Sequence, residues 1–455
     1  MAYPAKNNQN VQSALADFVS ACSFTDVPAP MIETIQRAFA DTLAVSVAAK
    51  RSEVSDIITE VVGPCPDDDD GATVFAADCT TSVADAALAN ATMGHSLDFD
   101  DVTRDSWHPS APIVGPILAV AESRNLSGRE AVTAYAVGYE VQSYLASELL
   151  PSHYERGWHT TATLGTFGAA AAVANLLDLN PARARHTLGI AASMPAGLKK
   201  NFGTMTKPLH VGHAARSGTT AATLASEGFT ASNGVITDDG GFLDLYSGAP
   251  TDEFRTPLEE DSTWELTDLG IQIKKYPCCN FAHTSIAATQ ELIADRELSP
   301  QDIRTVHVTL SPGGMDILPY TEPTTGLEAK FSAHYGVAAA IIEEQVDIAT
   351  FEDDRVSDPS MQQFLGRVTV EQDSTLPYNS YQSVVRIETT AGDTFDRSRT
   401  TPPGTPETPM SDAELYEKFV TCVRWGEEDF DPEPVFDSLI ELADAPNIAG
   451  VVEPF

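Results

Sequence analysis

The chain has 455 residues, 42% of them hydrophobic, and carries 66 acidic side chains against 27 basic ones, a formal net charge of −39. That length exceeds what a single hydrophobic core serves, and the apolar content is enough to fill two. The charge excludes nucleic acid as a partner, since neutralising phosphates requires a basic face, and no stretch of about 18 apolar residues offers a membrane span.

Val11, Leu15, Phe18 and Cys22 fall at helical spacing, and Ile32, Ile35, Phe39 and Leu43 repeat it after the breaks at Pro28 and Pro30. The acidic run 67–70 reads as a solvated turn, without the ligand spacing of a calcium loop. Residues 73–75 are β-like, and 82–96 form an Ala-rich helix that ends in the polar, proline-broken loop GHSLDFDDVTRDSWHPSAPIVGP. Helices follow near 114–123 and 127–149. In GWHTTATLGTFGAAAAVANLL the small residues Gly165, Gly168, Ala169 and Ala172 predict a helix that approaches its neighbours closely. The stretch 194–208 reads as loop, and packed helices run on to Glu227. An acidic, loop-like segment at 247–268 marks the crossing into a second domain. There the period changes to two: Val306, Val308 and Leu310, then Val368 and Val370, then Val385 and Ile387 predict strands, with a helix at 329–344 between them. TPPGTPETP at 401–409 is a linker that cannot continue a strand. Ser411 and Glu414 form a capping box opening a helix through Leu415, Phe419 and Cys422, which returns to the first domain.

MAYPAKNNQNVQSALADF has no basic segment leading into an apolar run, so a soluble, cytoplasmic protein is expected. Cys22, Cys65, Cys79, Cys278, Cys279 and Cys422 contain no CxxC pair, which points to reduced thiols rather than a zinc or iron–sulfur site. Self-repulsion at this net charge is tolerated best at high salt, so a salt-rich, halophilic setting is expected.

The acids are unevenly spread. Between 156 and 226 there is one, Asp178, where uniform scatter would place roughly ten. Lys199, Lys200, Lys207, Arg216, His159, His210 and His213 occupy that window, and a second acid-free window, 269–290, holds Lys274, Lys275, Tyr276 and His283. A cleft of one sign inside a body of the other concentrates an anionic ligand. In DFDD, the close carboxylates Asp98, Asp100 and Asp101 either bind a metal or force one pKa upward. Nearby His108 suits proton transfer. Lys207, one of nine lysines, reads as a substrate clamp or a Schiff-base amine. His210 and His213 could join the carboxylates on a metal, but their basic neighbours disfavour a cation. Cys278 reads as a packed thiol or a nucleophile, and His283 would face Lys207 and His108 across an interdomain cleft.

At GHSLDFDD with HPSAP, GWHTTATLGTFGAAAA, GTMTKPLHVGHAA, KKYPCCNFAH and KFSAHYGVAAA the sequence resembles the MmgE/PrpD family over nearly its whole length. The resemblance implies a large all-helical domain, 1–268 and 408–455, closed by the C-terminal segment, with a smaller α+β lid domain, 269–407, in a homodimer. It implies a small di- or tricarboxylate as substrate and neither metal nor cofactor. Carried over by position, the catalytic set is Asp98, His108, Lys207, His283 and Tyr320, and Lys207, His210, His159, Thr103 and Lys275 are expected to bind substrate. Where the decarboxylase branch places threonine four residues after its first aspartate, this chain has Val102, a departure that counts against decarboxylation. The expectation is a metal-independent lyase dehydrating a tricarboxylate such as 2-methylcitrate. The family blocks leave open an iminodisuccinate-type epimerase or a cis-aconitate decarboxylase. A carboxylate-binding protein without turnover would need the cations but no proton-transfer pair.

Overall fold

The computed structural model describes residues 9–64, 71–75, 77, 79–105, 107–247, 263–343 and 345–454. The acidic turn expected at 67–70 and most of the acidic crossing at 247–268 lie outside the described residues. Proline and capping side chains mark where the first helices begin. α2 (Ala29–Ala48), after α1 (Gln9–Ala21), carries Pro30 in its first turn, where a missing N–H costs nothing. α3 (Glu53–Val62) is capped by Ser52, and α4 (Val83–Ser96) by Ser82. Between them β1 (Ala72–Val74) and β2 (Cys79–Thr81) make an antiparallel pair.

α5 (Ala111–Ser123), α6 (Gly128–Leu149), α7 (Thr160–Leu176), α8 (Pro181–Ala191) and α9 (Thr206–Ser226) complete the helical body. The expected close approach of the Gly- and Ala-rich helix is present. A Cβ on Gly138 of α6 would stand 2.7 Å from the Gly168 carbonyl oxygen of α7, and one on Gly218 of α9 would stand 2.5 Å from Ala169 Cβ. Lys207 lies in the first turn of α9, not in the loop that the sequence suggests, because Pro208 is tolerated in a helix's opening turn.

The second part holds α10 (Asn280–Arg296), α11 (Ala333–Ile342) and a four-stranded sheet of β3 (Ile303–Leu310), β4 (Val368–Gln372), β5 (Ser383–Thr389) and β6 (Thr394–Arg399), in the order β4-β3-β5-β6. β3 runs parallel to β4 and antiparallel to β5, and β5 is antiparallel to β6. Register pairs Val306 with Ile387 and Val308 with Val385, so the alternating residues share one buried face. β6 has no apolar alternation in TFDRSR and escapes the sequence reading; charged side chains suit an edge strand. The helix expected at 329–344 is shorter, starting at Ala333 under a Ser332 cap.

Two large apolar cores form among the described residues. Leu15, Phe39, Ile113, Tyr135 and Phe167 belong to the first, together with Leu415 and Phe419 from α12 (Asp412–Gly426) and Leu439 from α13 (Pro432–Ile440). Phe281, Ile286, Val308, Phe331, Tyr335 and Ile387 belong to the second. The fold is mostly helical with an α+β part. Among the described residues no helix is long and apolar enough to cross a membrane, and Cys22, Cys278, Cys279 and Cys422 are free thiols.

Candidate active site

At the end of α4 the chain turns through Asp98, whose φ of 51° is left-handed, a conformation that follows many helix ends and that Asp tolerates better than most residues. Val102 and Gln272 then exchange backbone hydrogen bonds of 2.9 and 2.8 Å. This short bridge carries the segment that opens the α+β part alongside the DFDD loop. Lys274 therefore reaches Asp98, donating to its carbonyl oxygen at 2.9 Å and lying 3.1 Å from Oδ2. From α9, Lys207 Nζ donates to Asp98 Oδ1 and, at 2.9 Å, to His95 Nε2.

An ammonium has only protons to give, so His95 Nε2 accepts and Nδ1 carries the ring proton. That proton goes to Asp100 Oδ2 at 2.8 Å. His108 Nδ1 lies 2.9 Å from the same oxygen, and its Nε2 lies 3.8 Å from Asp98 Oδ1. Asp100 thus faces the Nδ1 sides of two histidines: it accepts from His95, while His108 Nδ1 is buried beside it without a hydrogen bond, where the carboxylate's charge favours a proton on that nitrogen and leaves Nε2 basic.

The protonation states follow from burial and neighbours. Burial pushes His108 down to about 3, only partly offset by Asp100, so it is neutral near pH 7. Burial alone would raise Asp98, but Lys207 and Lys274 outweigh it and hold its carboxyl well below the usual range. Burial would lower Lys274, yet Asp98 and Asp100 raise it overall, so it stays an ammonium. Asp101 goes the other way: burial and Asp41 push its carboxyl well up, and it bonds with Ser110. His95, Asp98, Asp100 and His108 bring one ligand atom each within 4.8 Å of one another, a spacing that suits a divalent cation. In that space two lysine ammoniums already supply the positive charge.

One cavity joins these groups. Asp98, Val102, His108, His159, Thr160, Thr161, Phe202 and Lys207 line it with Tyr154 on one side, and Lys274, Cys279, Asn280, Phe281, Ile317 and Phe331 on the other. α7 and α10 present their first turns to it, and Lys207 comes from the first turn of α9. Helix N-termini carry partial positive charge and favour carboxylates. The Phe202 and Phe331 rings stand 5.4 and 5.2 Å from Lys207 Nζ. The Thr160 hydroxyl is buried without a hydrogen-bond partner. About 30 Å³ is free, room for roughly two waters.

Of the residues expected from the sequence, Asp98, His108, Lys207 and His159 line this cavity. His210 stands next to it, its Nδ1 3.2 Å from His159 Nδ1. Thr103 is turned away, its hydroxyl donating to the Trp107 carbonyl at 3.3 Å. Lys275 is exposed. The backbone bridge at Gln272 turns Lys274 inward instead. His283 is fully buried and donates from Nε2 to the Cys278 carbonyl at 3.2 Å, outside the lining residues. Tyr320 likewise stands outside and donates to the Phe202 carbonyl at 3.2 Å. His95 and Thr160 are not singled out by the sequence, and within the acid-free window Lys275, rather than its neighbour Lys274, is expected to bind substrate. The scarcity of histidine, ten in the chain, and the place of His95 at the end of an Ala-rich helix were the available signals for the first.

Residues 13–255 match the MmgE/PrpD N-terminal domain and residues 276–429 the MmgE/PrpD C-terminal domain. The chain is 28% identical over 345 residues to a cis-aconitate decarboxylase of Homo sapiens, covering 73% of this chain and 71% of the relative. A cis-aconitate decarboxylase of Aspergillus terreus is 27% identical over 399 residues, 81% and 80% of the two chains. The cis-aconitate decarboxylase-like protein oryM of Aspergillus oryzae is 25% identical over 439 residues, 90% of each. With both domains matched across most of its length, the chain belongs to the MmgE/PrpD family.

Proposed function

We propose that this protein is a lyase that acts on a small tricarboxylate by moving a proton at the carbon α to a carboxylate. The observation that carries the reading is one cavity in which two buried ammoniums, Lys207 and Lys274, stand beside a neutral imidazole, His108. The ammoniums pair with substrate carboxylates and hold the charge that builds up when the proton leaves. His108 takes that proton at Nε2, while the Asp100 carboxylate faces its other nitrogen and Asp98 sets the two lysines. His283 and Tyr320, outside the cavity walls, enter the chemistry only through a rearrangement. Substrate entry needs the two walls to part, because the free space is far smaller than a six-carbon acid.

Our first choice of reaction is dehydration of 2-methylcitrate or a close relative. Val102 supports it, as an apolar residue on the cavity wall where the decarboxylase branch has threonine. The similar proteins favour a second reading, decarboxylation of cis-aconitate. Incubation with 2-methylcitrate, citrate, cis-aconitate and iminodisuccinate in high-salt deuterated buffer, followed by NMR, separates them. Dehydration of 2-methylcitrate turns its methyl doublet into a singlet on a new olefinic carbon with all carboxylates kept, and decarboxylation gives a product one carboxylate shorter. No change and no α-proton exchange in any of the four would sink the enzyme reading. We also propose a cytoplasmic homodimer of chains divided into a helical domain, 1–268 with 408–455, and a lid, 269–407. Membership of the two apolar cores supports that division.

A further inference from the structure

Three lysines converge on two adjacent residues, and one of them does not belong to the cavity. Lys207 and Lys274 take the side chain of Asp98, and Lys274 also takes its carbonyl. The next carbonyl, that of Phe99, accepts from Lys418 Nζ at 2.8 Å. Lys418 lies on α12, in the C-terminal segment, and is 6% exposed. Its ammonium sits 2.6 Å from Asp41 Oδ1 on α2 and 3.9 Å from the centroid of the Phe99 ring. Four lysines are buried among the described residues, Lys207, Lys274, Lys330 and Lys418, and three of the four meet at Asp98 and Phe99.

Stability alone does not account for this. A buried ion pair contributes little beyond an apolar pair of the same volume. What the pair touches is a strained turn. A left-handed aspartate is unfavourable and persists where its surroundings over-determine it. Lys274 holds the carbonyl of Asp98 and Lys418 the carbonyl of Phe99, so the peptide planes after both residues are fixed. The carbonyl that Lys418 holds belongs to the loop that presents Asp98 and Asp100.

We propose that Lys418 is a positioning residue for the active site: held by Asp41, it fixes the Phe99 carbonyl and with it the turn that sets Asp98 on the two cavity lysines and Asp100 on His108. The C-terminal segment thereby becomes part of the catalytic apparatus while touching no substrate. The kinetic half of the test rests on the proposed reaction; the exchange half does not.

Lys418→Met alone would strand the buried Asp41, so the test is the paired variant Asp41→Asn/Lys418→Met. Lys418→Arg, which keeps a cation for Asp41 and a donor for Phe99, is its control. Loosening a loop that aims reacting groups is expected to lower kcat of the paired variant about ten- to a hundredfold with KM within about threefold, while Lys418→Arg keeps kcat within about fivefold. Hydrogen–deuterium exchange at 97–104 should quicken about tenfold in the paired variant, with the helical circular dichroism unchanged. A folded paired variant with native kcat, or with native exchange at 97–104, overturns the proposal. The native protein tests it without any variant: amides of 99–104 that exchange as fast as the exposed turn at 390–393 overturn it too. Faster exchange in the variant, when the native protein turns over no carboxylate, would support the positioning role and defeat only the reaction reading.

Discussion

From the helical side of the cavity come Asp98, His108, His159 and Lys207, whereas the α+β side supplies Lys274, Cys279, Asn280, Phe281, Ile317 and Phe331. On the first side the groups hold one another: Lys207 on Asp98 and His95, and His95 and His108 on Asp100. On the second, one lysine faces inward amid mostly apolar or amide side chains. The difference separates two tasks. Proton transfer needs groups fixed in orientation and protonation state, which a packed helical body provides. In the proposed reaction, excluding water and covering the substrate would fall to the α+β wall.

His108→Gln should break the helical wall most severely. Removing one general acid or base is expected to lower kcat by roughly 10²- to 10⁴-fold while much of the binding remains. Stopped-assay kinetics on the substrate found by NMR would read it, and full turnover would shift the proton transfer elsewhere, with His283 the next to test. Lys207→Ala should follow. Leaving a substrate carboxylate unpaired in a buried site is expected to cost about 2–5 kcal/mol of binding. That loss should show mainly in KM if chemistry is slow relative to substrate release. Equal effects on kcat alone would mean that Lys207 serves the transition state instead.

What was legible in the sequence follows the same division. Lys207 stands out because a cation is unexpected in an acid-free stretch of small residues, and Asp98 and His108 because a cluster of carboxylates is followed by a scarce histidine. Regular elements were readable from period: the capping box at Ser411 and Glu414 opens α12 as expected, and the Val306 and Val308 alternation becomes β3. The inward lysine of the pair Lys274 and Lys275 was not readable, because residues 270–279 have no regular period and a one-residue phase decides it. The bridge between Val102 and Gln272, formed across 170 residues of chain, sets that phase. Lys418 did leave a trace. It falls on the buried face of α12 with Leu415, Phe419 and Cys422, and a charge on an apolar stripe marks a buried partner.

The pH profile sharpens the comparison further. An ordinary histidine base, with a pKa near 6.5, would lose about thirtyfold of its active form by pH 5. Burial holds His108 at about 3, so the neutral, proton-accepting form persists as pH falls and is lost only on passing through that value. The rate constant kcat is therefore expected to be flat from pH 8 down to 5, measured where circular dichroism shows an intact fold. An acid limb near pH 6.5 would mean that the base is exposed to water in the working state.

The smallest effect is expected at the seam between the two walls. Tyr320 donates to the Phe202 carbonyl at 3.2 Å, and Lys199 on the helical side lies 3.1 Å from Asp316 on the other. Both contacts span the seam along which the proposed opening would run. If Tyr320 only latches the walls, Tyr320→Phe removes one hydrogen bond of about 0.5–1.5 kcal/mol. Its aromatic ring still packs at Gly203, where a Cβ would stand 2.7 Å from Tyr320 Cε2. Weakening the closed form by that amount should raise KM by no more than about tenfold and leave kcat within about threefold. A donor to the leaving group would behave differently, since its loss falls on the chemical step, and kcat should then drop by roughly 10²-fold or more. Steady-state kinetics of this one variant decide whether the α+β wall contributes a reacting proton or only closure. A hundredfold loss in kcat would return Tyr320 to the catalytic set and require the closed cavity to rearrange around substrate.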